Sequence, residues 1–160
     1  MSEQNLIFRK YTEPDLPAMK EINHKNHIDQ GGALFGKLYN DKNYFVVEKD
    51  GAVIAYANVL EELPDRVRAS TVFEPLPESG IYIKQVAVAD ICQKQGVGSF
   101  LYKQLFGIYR DQHIFSHVFT QNWPSTLFHF RSGFKITGMF SAKGYFGVEN
   151  YVAFLMGRRT

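Results

Sequence analysis

The sequence predicts an α/β fold built on a mixed sheet, and three observations carry that prediction. Segments of strand character and segments of helical periodicity interleave along the chain, the pattern left when helices cover a sheet. Aromatic residues make up 15% of the sequence, with 14 Phe and 9 Tyr, which suits a β-containing core better than a helical bundle. At the centre, a strand at 81–88 feeds a glycine-containing turn and then a helix starting near Val97. A helix N-terminus reached in this way has unpaired backbone N–H groups that can hold an anion.

Composition sets the outer bounds. The 160 residues suit one domain, 1–160, with a single sizeable core. A net charge of +2 gives no push toward nucleic acid. No apolar run approaches membrane-spanning length, and the polar start, Met1 to Asn5, lacks a signal-peptide apolar region. A lone Cys92 allows no internal disulfide, so a cytoplasmic location is expected, with Cys92 an inert thiol rather than one activated by the adjacent helix.

The elements follow in order. Leu6 to Tyr11 reads as a first strand. Thr12 caps a helix with Pro14 near its first turn and Leu16, Met19 and Ile22 on one face. Leu34, Phe35, Leu38 and Tyr39 suggest a second helix, weakened by Gly31, Gly32 and Gly36. Tyr44–Glu48 and Val53–Leu60 flank Asp50-Gly51, a hairpin signal. Pro64, Pro75 and Pro77 mark 61–79 as a long loop. Strand 81–88 and a helix over about 97–110 come next, with Val97, Leu101, Leu105 and Ile108 at helical spacing. His113–Thr120 is a strand. A short helix over about 124–132 is opened by Asn122 and Pro124 and stopped by Gly133. Strands at Lys135–Ala142 and Tyr151–Met156 close a set of seven.

The turn Gln93-Lys94-Gln95-Gly96-Val97-Gly98-Ser99 is the main site signal. Small residues at Gly96, Gly98 and Ser99 let a pyrophosphate approach the N–H groups, although a turn needed only for chain reversal would also want glycine. No Walker lysine-plus-hydroxyl pair follows, so a nucleotide P-loop does not fit. Leu101 stands where a dinucleotide fingerprint has its third glycine.

In three features the sequence resembles the GCN5-related N-acetyltransferase (GNAT) family. They are Val86-Ala87-Val88 followed by Gln93-x-x-Gly96-x-Gly98, Asn122 at the end of the next strand, and the run from Ser125 to Gly133-Phe134. The resemblance implies a mostly antiparallel seven-stranded sheet, with a splay between two central parallel strands and helices on both faces. It implies acetyl-CoA as co-substrate and no metal. Backbone groups of Val86, Ala87 and Val88 would hold the pantetheine arm, Gln93 through Ser99 the pyrophosphate, and Asn122, Ser125 and Phe128 would also meet the cofactor. A primary amine on a small molecule or peptide would attack the thioester directly in a ternary complex. Homodimers are common in that family, which makes one an open expectation here. Neither nucleic acid nor membrane is an expected partner.

His129 stands where many members of the family have a tyrosine serving the departing thiolate. The expectation is that it donates a hydrogen bond to the sulfur, with a pocket-lining ring as the alternative. The general base is unassigned: no Asp or Glu lies between Gly80 and Val88, and Glu61 and Glu62 read as solvated. Glu61, Glu62 and Asp65 lean toward a cationic acceptor, offset by Arg66 and Arg68. His113 with His117, and His24 with His27, share faces without completing a metal set. Tyr145 and Phe146 would form an aromatic lid over the acceptor or else pack on their own hairpin. A non-catalytic acetyl-CoA-binding domain of the same fold is the rival from another functional class, and an α/β binding domain unrelated to CoA is the third reading.

Overall fold

The computed structural model describes residues 5–26, 43–145 and 147–160. The helix expected around Leu34 to Tyr39, together with His27 and Phe146, lies outside these residues. The elements are β1 (Leu6–Lys10), α1 (Leu16–Lys25), β2 (Tyr44–Lys49), β3 (Ala52–Leu60), α2 (Asp65–Arg68), β4 (Thr71–Val72), β5 (Ile81–Val88), α3 (Val97–Ile108), β6 (His113–Phe119), α4 (Trp123–Arg131), β7 (Lys135–Tyr145) and β8 (Val148–Arg159). The strands form one mixed sheet in the order β1-β2-β3-β5-β6-β8-β7-β4. Among the described residues no helix is long and apolar enough to cross a membrane.

The chain divides into two compact units, Met1–Val59 with Gln85–Ile108, and Leu60–Lys84 with Tyr109–Thr160. In the first, β1, β2 and β3 form an antiparallel meander, with Asp50 and Gly51 as the two-residue turn that the sequence announces. Thr12 is the N-cap of a 3-10 turn rather than of α1 itself, and its carbonyl accepts from Asp15 N–H at 2.9 Å. Its N–H and hydroxyl both donate to the Asp15 carboxylate, at 2.6 and 3.0 Å, so a 3-10 turn over Glu13–Asp15 comes before α1. Arg9 then clamps Asp15 at 2.7 Å and Glu48 at 2.9 Å. The core of this unit gathers Met19, Ile22, Tyr44, Val46, Tyr56 and Ala87.

In the second unit β5 and β6 are parallel, joined at Ile81–Ile114 and Tyr82–Phe115. Ser116 Oγ adds a bond to the Ile83 carbonyl at 3.0 Å. A parallel ladder this short is what a splay between central strands needs. β6 pairs antiparallel with β8 along its whole length, and β7 with β8.

Residues 61–79 are more than a loop. Pro64 opens the one-turn α2, which buries Val67, and β4 adds an eighth strand against β7. Proline content hid both elements, because each is too short to show a period. β4 approaches so closely that a Cβ on Gly138 would stand 2.5 Å from the Thr71 carbonyl, so only glycine admits the pairing. The β7–β8 hairpin also runs further than its sequence suggests, to Tyr145 and Val148. Leu63, Val67, Tyr82, Phe115 and Leu155 form the core of this unit.

Candidate active site

The Gln93–Ser99 turn, expected to hold an anion, belongs to the first unit. Ala89 N–H donates to the Ile54 carbonyl at 2.8 Å, so the Val88 carbonyl, across the same trans peptide, points away from β3. It is met there by two carboxamides, Asn26 Nδ2 at 3.0 Å and Gln93 Nε2 at 3.2 Å, and Gln93 Nε2 also donates to Asn26 Oδ1 at 2.8 Å. The Gln93 side chain therefore ties the turn to the end of α1. A 3-10 turn over Asp90–Cys92 follows β5, and Lys94 and Gly96 then both take positive φ, 60° and 85°. At Gly96 the backbone alone demands glycine, since a Cβ would have nothing within 4 Å.

Phe100 N–H bonds the Gly96 carbonyl at 2.9 Å and begins the helical ladder of α3. The N–H groups of Val97, Gly98 and Ser99 precede that ladder and have no acceptor within the helix. The side chains behind them, Val97, Leu101, Tyr102 and Leu105, are buried at helical spacing and fix the direction of the turn. Lys94, Gln95 and Ser99 are exposed and Cys92 is buried.

A polar hub lies beneath α1 in the same unit. Asn23 Oδ1 accepts from Tyr56 OH at 2.8 Å and from Gln85 Nε2 at 2.5 Å. Among the described residues, neither amide atom of Asn58, fully buried on β3, has a partner, and Gln85 Oε1 has none either.

The α4 helix belongs to the second unit. Asn122 caps it, accepting from Ser125 N–H at 3.2 Å, so of the side chain expected to meet the cofactor only the amide NH2 is uncommitted to the cap. Thr126 and His129 turn inward, while Trp123, Leu127 and Phe130 stay exposed on the opposite side. Phe134 N–H closes the helix end on the His129 carbonyl at 3.0 Å, which is the structural meaning of the Gly-Phe pair.

The His129 ring packs edge-on against Phe128 and Phe134, and its Nδ1 lies 2.7 Å from the Ser125 carbonyl oxygen. Burial lowers its pKa, and the bond to Ser125 acts weakly in the other direction.

One group of residues went unread in the sequence. Tyr82, on β5, and Ser70, just after α2, flank His117 of β6: Tyr82 OH is 3.1 Å from Nδ1 and Ser70 Oγ is 3.0 Å from Nε2. Ser70 donates its single hydroxyl hydrogen to the Arg66 carbonyl at 2.9 Å. His117 must then donate from Nε2 to Ser70, and Nδ1 accepts from Tyr82. Burial, aided by the Arg66 charge, pushes His117 down to about 3, and burial pushes Tyr82 up, so the chain of bonds is neutral.

Arg66 spreads over the Tyr82 ring at 4.7 Å and donates to Tyr145 OH at 2.7 Å. Tyr145 packs on Phe140 and Tyr151 of its own hairpin. Glu61 accepts from Tyr109 OH at 3.1 Å. Among the described residues no group of three His, Cys, Asp or Glu is placed to hold a metal ion.

Comparison with known proteins gives the family and the fold. The model of the Acetyltransferase (GNAT) family matches residues 4–134. No curated protein matches the sequence. Among solved structures, a GNAT-family acetyltransferase from Streptococcus agalactiae is similar at a TM-score of 0.80 and 12% identity, over 98% of this chain and 96% of that one. Arabidopsis thaliana Naa50, in complex with the bisubstrate analogue CoA-Ac-MVNAL, is similar at 0.73 and 17%, over 97% and 99%. The ribosomal-protein-S18-alanine N-acetyltransferase of Escherichia coli is similar at 0.71 and 17%, over 96% and 93%. At these identities the likeness is one of fold.

Proposed function

The chain belongs to the GNAT acetyltransferase family, and from that premise we propose that it transfers an acetyl group from acetyl-CoA to a primary amine by direct attack in a ternary complex. The observation that carries this reading is the β5–turn–α3 unit, which lies inside the family match and leaves the N–H groups of Val97, Gly98 and Ser99 ahead of the helical ladder. Those groups, with the exposed Lys94 and Gln95, bind the pyrophosphate. Gln93 keeps the turn in shape through Asn26 and Val88. With the Val88 carbonyl already bonded, Val86, Ala87 and the Val88 N–H are the backbone groups for the pantetheine arm. Asn122 meets the arm through its amide NH2, and Ser125 and Phe128 line it.

Two of the similar structures support an amine acceptor: one holds the analogue CoA-Ac-MVNAL, and the other is an enzyme named for an alanine of a ribosomal protein. Catalysis comes from holding amine and thioester together and from backbone N–H donors facing the developing oxyanion. His129 hydrogen-bonds the departing sulfur only as the imidazolium, because the neutral ring spends its one N–H on Ser125.

Calorimetry with acetyl-CoA at neutral pH tests the cofactor, and thiol release over a panel of polyamines, amino acids, aminoglycosides and peptides tests the transfer. Binding and release together are the expected outcome. No binding at millimolar acetyl-CoA ends the reading. Binding without release over the panel favours the non-catalytic domain.

A further inference from the structure

We propose that the acceptor carries a carboxylate and that Arg66 binds it. The proposal rests on the acetyl-transfer reading for the acceptor's other group, the amine.

Arg66 is a half-buried cation without a counter-anion among the described residues. The ion pairs among the described residues are Arg9 with Asp15, Arg9 with Glu48, and Lys25 with Glu21, none of them in this unit. The recorded bond from the Arg66 guanidinium runs from one terminal nitrogen to Tyr145 OH, a neutral acceptor. Its Cζ stands over the Tyr82 ring, 4.7 Å from the centroid. The remaining N–H groups of that rigid fork have the spacing that a planar carboxylate takes up in two parallel bonds.

Among the described residues, the groups in contact with Arg66 carry no negative charge. Ser70 and His117 are committed to each other and to the Arg66 carbonyl, and both are neutral. Phe140, Tyr145 and Tyr151 continue the wall, with ring centroids 5.0–5.8 Å apart from neighbour to neighbour. The Arg66 charge reaches its neighbours: it helps hold His117 down and opposes the burial-driven rise at Tyr82 and Tyr151. The Tyr82 ring holds the guanidinium by cation–π attraction and Tyr145 takes one of its N–H groups, which orients the rest of the fork without neutralising its charge.

The acidic lean read from Glu61, Glu62 and Asp65 points the other way, but all three are exposed and Glu61 is bonded by Tyr109. Arg68 is exposed too, and donates to the Glu78 carbonyl.

The test uses amines that differ only in the carboxylate: phenylalanine with phenethylamine, arginine with agmatine, lysine with cadaverine. Peptides with Glu or Gln at the second position form a further arm, which separates a free amino acid from an acidic peptide as the source of the carboxylate. By thiol release, kcat/KM should favour the carboxylated partner by about tenfold or more in at least one arm. That ratio should collapse toward one in Arg66→Met, fall partway in Arg66→Lys, and fall in Tyr145→Phe, which frees the fork. A ratio at or below one in every arm, or one unchanged by Arg66→Met, overturns the proposal.

If no amine is acetylated, the transfer reading fails by itself, and binding decides the rest. Calorimetry of N-acetylphenylalanine against its amide should then favour the carboxylate in the wild type and show no preference in Arg66→Met. Equal binding of the two, or none, overturns the Arg66 site as well.

Discussion

His129 Nδ1 lies 2.7 Å from the carbonyl oxygen of Ser125, and that contact decides what the imidazole can offer a reacting group. A carbonyl only accepts, so Nδ1 carries the proton and Nε2 of the neutral ring carries a lone pair. Burial disfavours the doubly protonated form.

If the imidazolium serves the sulfur, the ratio of wild-type kcat to that of His129→Phe should shrink as pH rises from about 6 to about 8, by up to about tenfold per unit. Taking the ratio cancels the titration of the amine itself. Thiol-release rates at matched saturation measure it. A ratio of one throughout removes His129 from the chemistry.

Stability should fall on mild acidification. His117 is held at about 3 by burial and the Arg66 charge, whereas an unfolded histidine titrates near 6.5. Between those values the unfolded chain takes up a proton that the folded chain refuses, so the loss begins as pH drops through about 6.5 and reaches roughly 2 kcal/mol by about pH 5. Asp15, lowered to about 2 chiefly by its bonds from Arg9, adds a second loss only below about 3.8. Denaturant titrations from about pH 7.5 down to about 5 should show the full loss in the wild type and a smaller one in His117→Gln, where the buried His129, also lowered, still contributes. The same slope in both proteins would assign it elsewhere.

The Gln93–Ser99 turn, proposed to bind the pyrophosphate, offers two separable changes. Gly96→Ala puts a Cβ into open space at a φ of 85°, so its cost of about 1–2 kcal/mol is conformational and should appear in both stability and acetyl-CoA affinity. Gln93→Ala removes the side-chain tie to Asn26 and Val88 and should weaken acetyl-CoA binding by about 5- to 30-fold, with a smaller loss of stability. Calorimetry and thermal melts on the same samples separate the two effects. Unchanged affinity in both variants would move the pyrophosphate off this turn.

Beneath α1, two buried asparagines should respond in opposite ways to leucine. Asn23→Leu strips Tyr56 OH and Gln85 Nε2 of their shared acceptor and should cost about 2–4 kcal/mol. Asn58→Leu removes an amide bonded to no protein group, and should leave the midpoint of unfolding unchanged or raised. Equal losses in both variants would refute the difference in bonding.

What the sequence disclosed follows from the range over which each signal acts. The hairpin at Asp50-Gly51, β5 at Ile81–Val88 and the cap at Asn122 are written in neighbouring residues, and all three stand where the sequence places them. β4 was hidden because two residues have no period. It exists because Gly138, far along the chain, admits it. The Tyr82–His117–Ser70 chain was hidden for the same reason: its members come from three separate segments. The glycine turn itself was readable between β5 and α3. Its tie through Asn26 was not, since Asn26 lies 67 residues before Gln93.

The exposed face of α4 has a practical consequence. Trp123 is the only tryptophan in the chain, stands 60% exposed in the first turn of that helix, and directly follows Asn122. Its indole is therefore a built-in optical probe of the capped end of α4. Selective excitation should give the red-shifted emission of a hydrated indole, and a molecule settling against Asn122 and Ser125 should change its intensity without any attached label.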